Sequence, residues 1–272
     1  MMQCDRCGGE EFTKAGRDRQ ARQLYRCGAC GRRITERSGS AFNGYRFPDD
    51  IIALAVRWYL RYRLPYADVA ELLAERGVHV DPSTIFDWVQ NFTPLYQEAA
   101  RHHRRRVGQH WSIDETYIRI AGRWCYAFRA IDEEGQVIDV YVSPTRDTAA
   151  ATTFLTQAVE STEVTPSLAT TDKAAIYPPA LAAVLPEVKH IAGKMVHQRI
   201  ERDHQHLKGR TRSMRGFQTL PCAQVVCQGH GFMRNLRNGF YDLGAGCGHA
   251  HRSQAPRLVR AWDDLTLALA AA

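Results

Sequence analysis

The chain has 272 residues, 44% of them hydrophobic and 24% charged, which is typical of a globular protein that buries a sizeable core. Its net charge of +7 favours a polyanionic partner. The absence of an apolar run of ~18–20 residues argues against a membrane protein, and the lack of an apolar segment at the N-terminus argues against secretion. We therefore expect a cytoplasmic protein without a membrane partner.

Four cysteines form two matched pairs near the N-terminus. The first pair is Cys4 and Cys7, and the second is Cys27 and Cys30. Each pair has the C-x-x-C spacing, and 19 residues separate the two pairs. Structural zinc takes four soft ligands, and this spacer lets both thiols of a pair face one ion. We predict a zinc ribbon with one structural Zn²⁺, in which Gly8 and Gly28 adopt positive φ. Its many arginines suit DNA phosphates, although zinc ribbons also bind proteins.

A helical pattern begins after Phe47. The first helix is predicted to bury the face formed by Ile51, Leu54, Ala55, Trp58 and Tyr62. A second helix ends near Gly77, and Asp81-Pro82 is typical of the start of a third. Such a pair of helices predicts a DNA-binding helix-turn-helix, whose groove-facing residues would be Ser83, Thr84, Asp87 and Gln90. A helical bundle without a ligand is the alternative, and the run RHHRRR that follows is either a solvated linker or a phosphate contact.

From Trp111 the pattern changes to strands. Three β-rich runs, WSIDETYIRI, RWCYAFRAID and QVIDVYVS, precede alternating helical and strand segments. The order β-β-β-α-β-α-β-α is typical of an RNase H-like α/β fold, a mixed five-stranded sheet with helices on both faces. In that fold the first and fourth strands are neighbours, which brings Asp114 and Asp172 together. Glu201 lies on a later helix that can pack across their ends.

Three converging carboxylates repel one another unless cations bind between them. We predict that Asp114, Asp172 and Glu201 hold two Mg²⁺ (or Mn²⁺) ions, which clamp the attacking and leaving oxygens of a phosphoryl displacement. Glu115 faces the other side of its strand, so an ion pair with an arginine is favoured over metal ligation. Candidate contacts to DNA phosphate, against the alternative of a solvated polar face, are Lys173, His204, Lys208 and Arg210.

Several segments carry a family resemblance: WSIDETYIRIAGRWCYAFRAID, YVSPTRDTAAATTFL, TTDKAAIYPPAL, RIERDHQHLKGRTRSMRGF and GHGFMRNLRNGFYDLG. In this order they resemble the insertion-sequence-six family of DDE transposases, over about residues 43–244. The resemblance implies that Asp114, Asp172 and Glu201 are the DDE triad of a retroviral-integrase-like core with a divalent metal. The 28 residues between Asp172 and Glu201 are fewer than is usual in the family, which we interpret as a shortened loop.

The resemblance also implies a substrate and an assembly. The expected partner is double-stranded DNA, both the terminal inverted repeats of a mobile element and a target. The protein is expected to cleave the 3′ ends of the element and to join them to the target. It is expected to act as a homodimer or a larger oligomer, associated with the nucleoid.

The chain is thus predicted to have five parts: a zinc ribbon at 1–42, a helix-turn-helix domain at 43–100, a basic linker at 101–110, an RNase H-like DDE domain at 111–244 and a tail at 245–272. Two other functions remain open. One is a transcription regulator with an inert core, which has no reason to keep an acidic triad. The other is an RNase H-like nuclease that cleaves without joining, which the residues alone do not separate from a transposase.

Overall fold

The computed structural model describes residues 3–18, 21–193, 198–214, 216–244 and 254–271. Its N-terminal unit is an antiparallel sheet of the strands β1 (Phe12–Arg17), β2 (Gln23–Cys27) and β3 (Arg33–Ile34). Gly8 has the predicted positive φ, of 70°. In the turn formed by the second cysteine pair, the residue with positive φ is Gly31, at 71°, and not the predicted Gly28. Both turns therefore close directly after the second cysteine of a pair, which is Cys7 or Cys30.

Three helices follow, α1 (Asp49–Arg61), α2 (Tyr66–Ala74) and α3 (Pro82–Ala100). The Asp81 side chain caps α3 by accepting a hydrogen bond from the Ser83 amide at 2.8 Å. Gly77, with φ +76°, follows α2. The buried face of α1 differs from the predicted one and consists of Ile52, Ala53, Ala55, Val56, Tyr59 and Leu60. The reason is that α1 packs against α3, α7 and α8 as well as α2. Contacts with elements distant in sequence therefore determine which side of α1 is buried.

The central sheet has the strands β4 (His110–Ile120), β5 (Arg123–Ile131), β6 (Val137–Ser143), β7 (Leu168–Thr171) and β8 (Lys189–Ala192), in the order β6-β5-β4-β7-β8. The first three strands are antiparallel, whereas β7 and β8 run parallel to β4. Positive φ at Ala121 and Gly122 forms the tight turn between β4 and β5. The predicted neighbours β4 and β7 are adjacent.

Helices cover both faces of this sheet. On one face lie α4 (Thr148–Thr162) and α5 (Tyr177–Val184), around a core that includes Trp111, Phe128 and Phe154. On the other face lies α7 (Leu220–Asn238), while α6 (Gln198–Thr211) contacts β4. The order and the two-sided mixed sheet confirm the predicted RNase H-like α/β fold.

The helices before the sheet share one hydrophobic core with it. This core joins residues of α1 and α3 to the sheet face under α7, and it includes the C-terminal helix α8 (Gln254–Ala271). The basic run at 101–106 is bound to the rest of the protein by side-chain contacts. Arg104 donates hydrogen bonds to the carbonyls of Val137 and Ile138, both at 2.8 Å, and Arg105 forms an ion pair with Asp242. Within the described ranges, no helix has the length and apolar character needed to cross a membrane.

Trp262 of α8 anchors the C-terminal helix to the body of the protein. Its ring stacks on Tyr96 at 4.0 Å, and its Nε1 donates to the Ala53 carbonyl at 3.0 Å. We expect Trp262→Ala to lower the free energy of unfolding by about 3–5 kcal/mol, because it leaves a large cavity in the shared core. Urea denaturation measures this, with Leu267→Ala as the control because that side chain is 69% exposed. Equal stability of the two variants would contradict the anchoring role.

Candidate active site and metal centre

The two cysteine pairs converge in the N-terminal unit. The Sγ atoms of Cys4 and Cys30 are 3.5 Å apart, those of Cys7 and Cys27 are 3.6 Å apart, and all four lie within 4.8 Å of one another. Hydrogen bonds, of which that from the Arg6 backbone is the largest, lower the pKa of Cys4 to about 7 and favour its thiolate. In Cys7 the lowering by the Gly9 backbone is outweighed by hydrogen bonds with Cys30 and Cys27, so the pKa of this thiol rises to about 12. Four soft donors at this spacing fit a tetrahedral zinc ion.

A second cluster lies where β4 and β7 separate. Carboxylate oxygens of Asp114, Glu115 and Asp172 lie within 4.8 Å of one another. The pairing of β4 with β7 ends at Ser112 and Thr170, and β7 itself ends at Thr171. Beyond that point the β4 edge is not covered by β7, so side chains from both faces of β4 can meet around it. This gap in the sheet explains how neighbours on opposite faces share one site.

Asp172 and Asp114 are held by different neighbours. Oδ1 of Asp172 accepts a hydrogen bond from the Ala174 amide at 2.8 Å, which fixes the carboxylate at the start of the loop after β7. Oδ2 of Asp114 lies 3.6 Å from Nδ1 of His204, a residue of α6 that is 4% exposed. The side chain of Asp114 is 20% exposed, so it remains open to a ligand.

Arg146 bridges two of the carboxylates. Its Nε donates to Glu115, and its Nη2 lies 3.3 Å from Oδ2 of Asp172. Burial alone lowers the pKa of Arg146, but the negative charges of Glu115 and Asp172 raise it above its ordinary value. The predicted ion pair of Glu115 with an arginine is therefore present, although the Glu115 carboxylate also lies inside the cluster.

Tyr177 of α5 holds the other oxygen of Glu115. Its hydroxyl donates a hydrogen bond to Oε2 of that carboxylate. Burial, and then the charge of Glu115, raise the pKa of Tyr177 well above its ordinary value. Tyr177 therefore stays a neutral donor, and Glu115, whose side chain is 3% exposed, is fixed on the α4 and α5 side of the sheet.

Glu201 lies on α6, and its side chain falls outside the part of the chain that the structure describes. The helix itself is well placed, because α6 contacts β4 and its His204 reaches Asp114. Glu201 and His204 are three positions apart, and residues at that spacing share a helix face. The assignment of Glu201 as the third acidic residue stays a prediction.

The predicted DNA contacts fall into two groups. Exposed side chains are those of Ser83, Asp87, Lys173 and Lys208, while Thr84 is half-buried. Three others are turned inward: Gln90 is half-buried, His204 lies against Asp114, and Arg210 is 2% exposed with Cζ 4.1 Å from the centroid of the Tyr59 ring. Arg210 therefore supports the core by a cation–π contact, and its predicted contact with DNA phosphate does not fit this structure.

The donor chemistry of the acidic cluster fits hard divalent cations. Mg²⁺ prefers carboxylate oxygens and keeps positions for water and phosphate, and the cluster is partly exposed. Arg146 already supplies a positive partner to Asp172, and Nδ1 of His204 lies 3.6 Å from Oδ2 of Asp114. Oxygen ligands in this arrangement suit Mg²⁺ or Mn²⁺, whereas the sulfur ligands of the N-terminal cluster suit Zn²⁺.

Sequence reasoning missed Arg146 and Tyr177. Glu115 and Arg146 are separated by 31 positions, and Glu115 and Tyr177 by 62. No periodicity connects such positions. The usable signal was the expectation that Glu115 needs a cationic partner, because a buried carboxylate without one is costly.

Replacing Arg146 by methionine tests its role as a cation that competes with metal. We expect Arg146→Met to bind Mg²⁺ about fivefold more tightly, since a partly exposed ion pair is worth about 1 kcal/mol or less. Without metal, the same variant should be less stable because the carboxylates repel one another. Calorimetric titration with Mg²⁺ and melting curves with and without the ion measure both effects.

Arg105→Met is the matched control, because it breaks the exposed pair with Asp242 far from the cluster. That variant should bind Mg²⁺ as the natural protein does. Weaker binding of Mg²⁺ by Arg146→Met would show that Arg146 supports the metal and does not compete with it.

The central part of the chain is similar in sequence to known transposases. Residues 108–240 match a family model described as a DDE domain, of the IS240 transposase type. The transposase for the insertion sequence-like element IS431mec of Staphylococcus aureus is 37% identical over 174 residues, which are 62% of this chain and 77% of that protein. The transposase of insertion sequence element IS257 in transposon Tn4003, also from Staphylococcus aureus, has the same identity and coverage.

Among solved structures, the catalytic core domain of BIV integrase is 15% identical, with a TM-score of 0.36 over 59% of this chain and 99% of that chain. The HTLV-2 integrase catalytic core domain in complex with magnesium is 14% identical, with a TM-score of 0.32 over 60% of this chain and 87% of that chain.

Proposed function

The chain belongs to the insertion-sequence-six family of DDE transposases, and from this we propose that it cleaves the 3′ ends of a mobile element and joins them to target DNA. The substrate is double-stranded DNA, both the terminal inverted repeats of the element and the target. The observation that carries the proposal is the convergence of Asp114 and Asp172 at the gap between β4 and β7, with α6 packed against it.

Asp114, Asp172 and Glu201 are the proposed ligands of two divalent ions. When bound, Mg²⁺ or Mn²⁺ supplies Lewis-acid stabilisation of charge on the attacking and leaving oxygens of a phosphoryl transfer. Carboxylate oxygens of Asp114 and Asp172 lie within 4.8 Å of each other, a spacing at which both could ligate one ion.

The neighbours of the triad orient it and balance its charge. His204 lies against Asp114 and fixes the position of that carboxylate. Tyr177 and Arg146 fix Glu115, which we propose supports the site from the opposite face of β4. Arg146 also contacts Asp172, so a cation that takes this carboxylate must displace a guanidinium.

DNA is held outside the acidic cluster by separate basic and polar surfaces. Lys173 directly follows Asp172, and Lys208 lies one turn beyond His204; both are exposed and suit phosphate oxygens. The start of α3, with Ser83, Thr84 and Asp87, is the proposed groove-reading end of a helix-turn-helix. The cysteine cluster is proposed to hold one Zn²⁺ in a ribbon that contacts the DNA ends.

We place this activity in a homodimer or larger oligomer at the nucleoid, because two element ends must be joined to one target.

The test is a strand-transfer assay with purified protein, Mg²⁺, oligonucleotide duplexes of the terminal repeats that flank the coding sequence, and a supercoiled target plasmid. We expect cleaved 3′ ends covalently joined to the plasmid. Glu201→Gln should abolish joining, while Glu187→Gln, which alters an exposed carboxylate beside β8, should leave it unchanged. Cleavage without any joined product would favour the RNase H-like nuclease.

A further inference from the structure

The hairpin of β4 and β5 carries an exposed aromatic surface that the proposed function does not use. Tyr117 is 53% exposed and Trp124 is 64% exposed, whereas Trp88, Trp111 and Trp262 are at most 2% exposed. The Tyr117 ring lies 5.1 Å from the ring of Tyr126 and 6.2 Å from that of Trp124. Large exposed aromatic groups of this kind mark an interaction site.

This surface is continuous with the acidic cluster. Tyr117 lies two residues beyond Glu115, and side chains at that spacing share one face of a strand. The strand register continues the row, because Tyr117 pairs with Tyr126 and Arg119 pairs with Trp124. The aromatic row therefore begins beside the carboxylates and runs towards the tip of the hairpin.

The charge of the hairpin is positive. Arg119 and Arg123 are exposed, and the Arg119 guanidinium lies 5.9 Å from the centroid of the Trp124 ring. Between Glu115 and Asp132 the chain has no acidic residue. Exposed aromatic rings interleaved with arginines are the combination that binds single-stranded nucleic acid, since bases stack on rings while arginines contact phosphates.

The edge of the hairpin is braced by a short segment before α7. The Phe217 amide donates to the Arg119 carbonyl at 2.8 Å, and the Ala121 amide donates to the Phe217 carbonyl at 2.7 Å. Phe217 itself is buried. The aromatic row therefore stands on a supported sheet, and its rings are positioned before a ligand arrives.

We propose that Tyr117 and Trp124 stack the unpaired bases of the DNA strand whose phosphate lies at the acidic cluster, with Arg119 and Arg123 contacting its backbone. The proposal rests on the proposed function, because it needs a DNA end at the carboxylates. It adds that the protein recognises an end that is locally single-stranded. Charge complementarity and continuity with the acidic cluster favour this occupant over a second copy of the chain.

Binding measurements test this inference without catalysis. The probes are two duplexes of arbitrary sequence, one blunt and one with a short single-stranded 3′ overhang, and the full chain is used in metal-free buffer. We expect the natural protein to prefer the overhang. Trp124→Ala should bind the overhang about tenfold more weakly, the loss expected for one stacked base, with blunt-duplex binding unchanged. Trp124→Phe should retain most of the preference.

Two further measurements keep the inference testable if a variant is poorly folded. Overhang DNA should quench the tryptophan fluorescence of the natural protein, because Trp124 is its most exposed tryptophan. In the double variant Arg119→Gln and Arg123→Gln, the slope of log affinity against log salt for the overhang should fall by about 1.4, the value for two single-strand phosphate contacts. Leu267→Ala, at another exposed apolar side chain, is the control for both.

Equal binding of both probes by the natural protein would overturn the inference. So would an unchanged overhang preference in Trp124→Ala, including the case in which that variant only shifts a dimer to a monomer in sedimentation. The latter result would identify the hairpin as an interface between copies. Because these assays need no terminal repeats and no joining, their failure is distinct from a failed strand-transfer assay.

Discussion

Asp114→Asn should reduce both cleavage and joining by about a thousandfold or more. The amide keeps the size of the side chain but removes the charge that a divalent ion requires. Losing several kcal/mol of metal-dependent stabilisation corresponds to this factor, since each ~1.4 kcal/mol is tenfold in rate. Binding of terminal-repeat DNA should remain, because the proposed contacts lie on α3, the ribbon and exposed lysines. The strand-transfer assay and a gel-shift titration measure the two properties separately.

Glu115→Gln is the informative comparison for this prediction. It changes the neighbouring carboxylate, which is bound by Arg146 and Tyr177 on the other face of β4. A positioning role predicts reduced activity that excess Mg²⁺ partly restores, whereas Asp114→Asn should stay inactive at any Mg²⁺ concentration. If Asp114→Asn retained strand transfer, Asp114 would have no place in the mechanism.

The part of the active-site geometry that depends on strand order could be predicted from the sequence. Alternating patterns and turn residues give the order of elements, and the order makes β4 and β7 neighbours, so Asp114 and Asp172 converge. Glu115 faces away from Asp114 because successive side chains of a pleated strand point to opposite faces of the sheet. Strand order does not predict where β7 ends relative to β4. Because β7 is short, the edge of β4 is uncovered beside Asp114, and Glu115 can therefore reach the cluster from the other face.

Side-chain contacts that depend on tertiary packing could not be predicted from local sequence patterns. Arg210 lies on a polar helix and is a predicted phosphate contact, yet its guanidinium lies over the ring of Tyr59 of α1. The buried side of α1 was misassigned for a related reason. That helix has apolar residues around much of its circumference, and the choice is made by α3, α7 and α8. Helical periodicity alone does not identify which of several apolar faces is covered.

The convergence of the four cysteines was predictable because it is set by their spacing in the sequence. Two C-x-x-C pairs at the ends of a hairpin bring four sulfurs together, and the structure places them within 4.8 Å. Which glycine takes the left-handed conformation was less predictable, because glycines occur after Cys7, Cys27 and Cys30 alike. The turn geometry selects Gly8 and Gly31.

Cys27→Ser should release the zinc ion and unfold the ribbon while the rest of the protein stays folded. A unit of this size has a small core, and structural zinc contributes ~10–16 kcal/mol of apparent binding free energy in zinc-finger peptides. Atomic absorption should find about one zinc per chain in the natural protein and about none in the variant. Trypsin should then cut the variant within the first forty or so residues, at arginines such as Arg26 and Arg33 that are exposed but lie in strands.

Cys222→Ser is the matched control, since it makes the same change at a half-buried thiol of α7 outside the cluster. It should keep its zinc and its resistance to trypsin. Because the ribbon's exposed arginines are proposed to contact DNA, Cys27→Ser should also bind terminal-repeat duplexes more weakly and with a smaller dependence on salt. Unchanged zinc content in Cys27→Ser would contradict the metal site. Lost zinc with unchanged DNA binding would instead assign the ribbon to a protein contact, for which the ordered cysteine unit is equally suited.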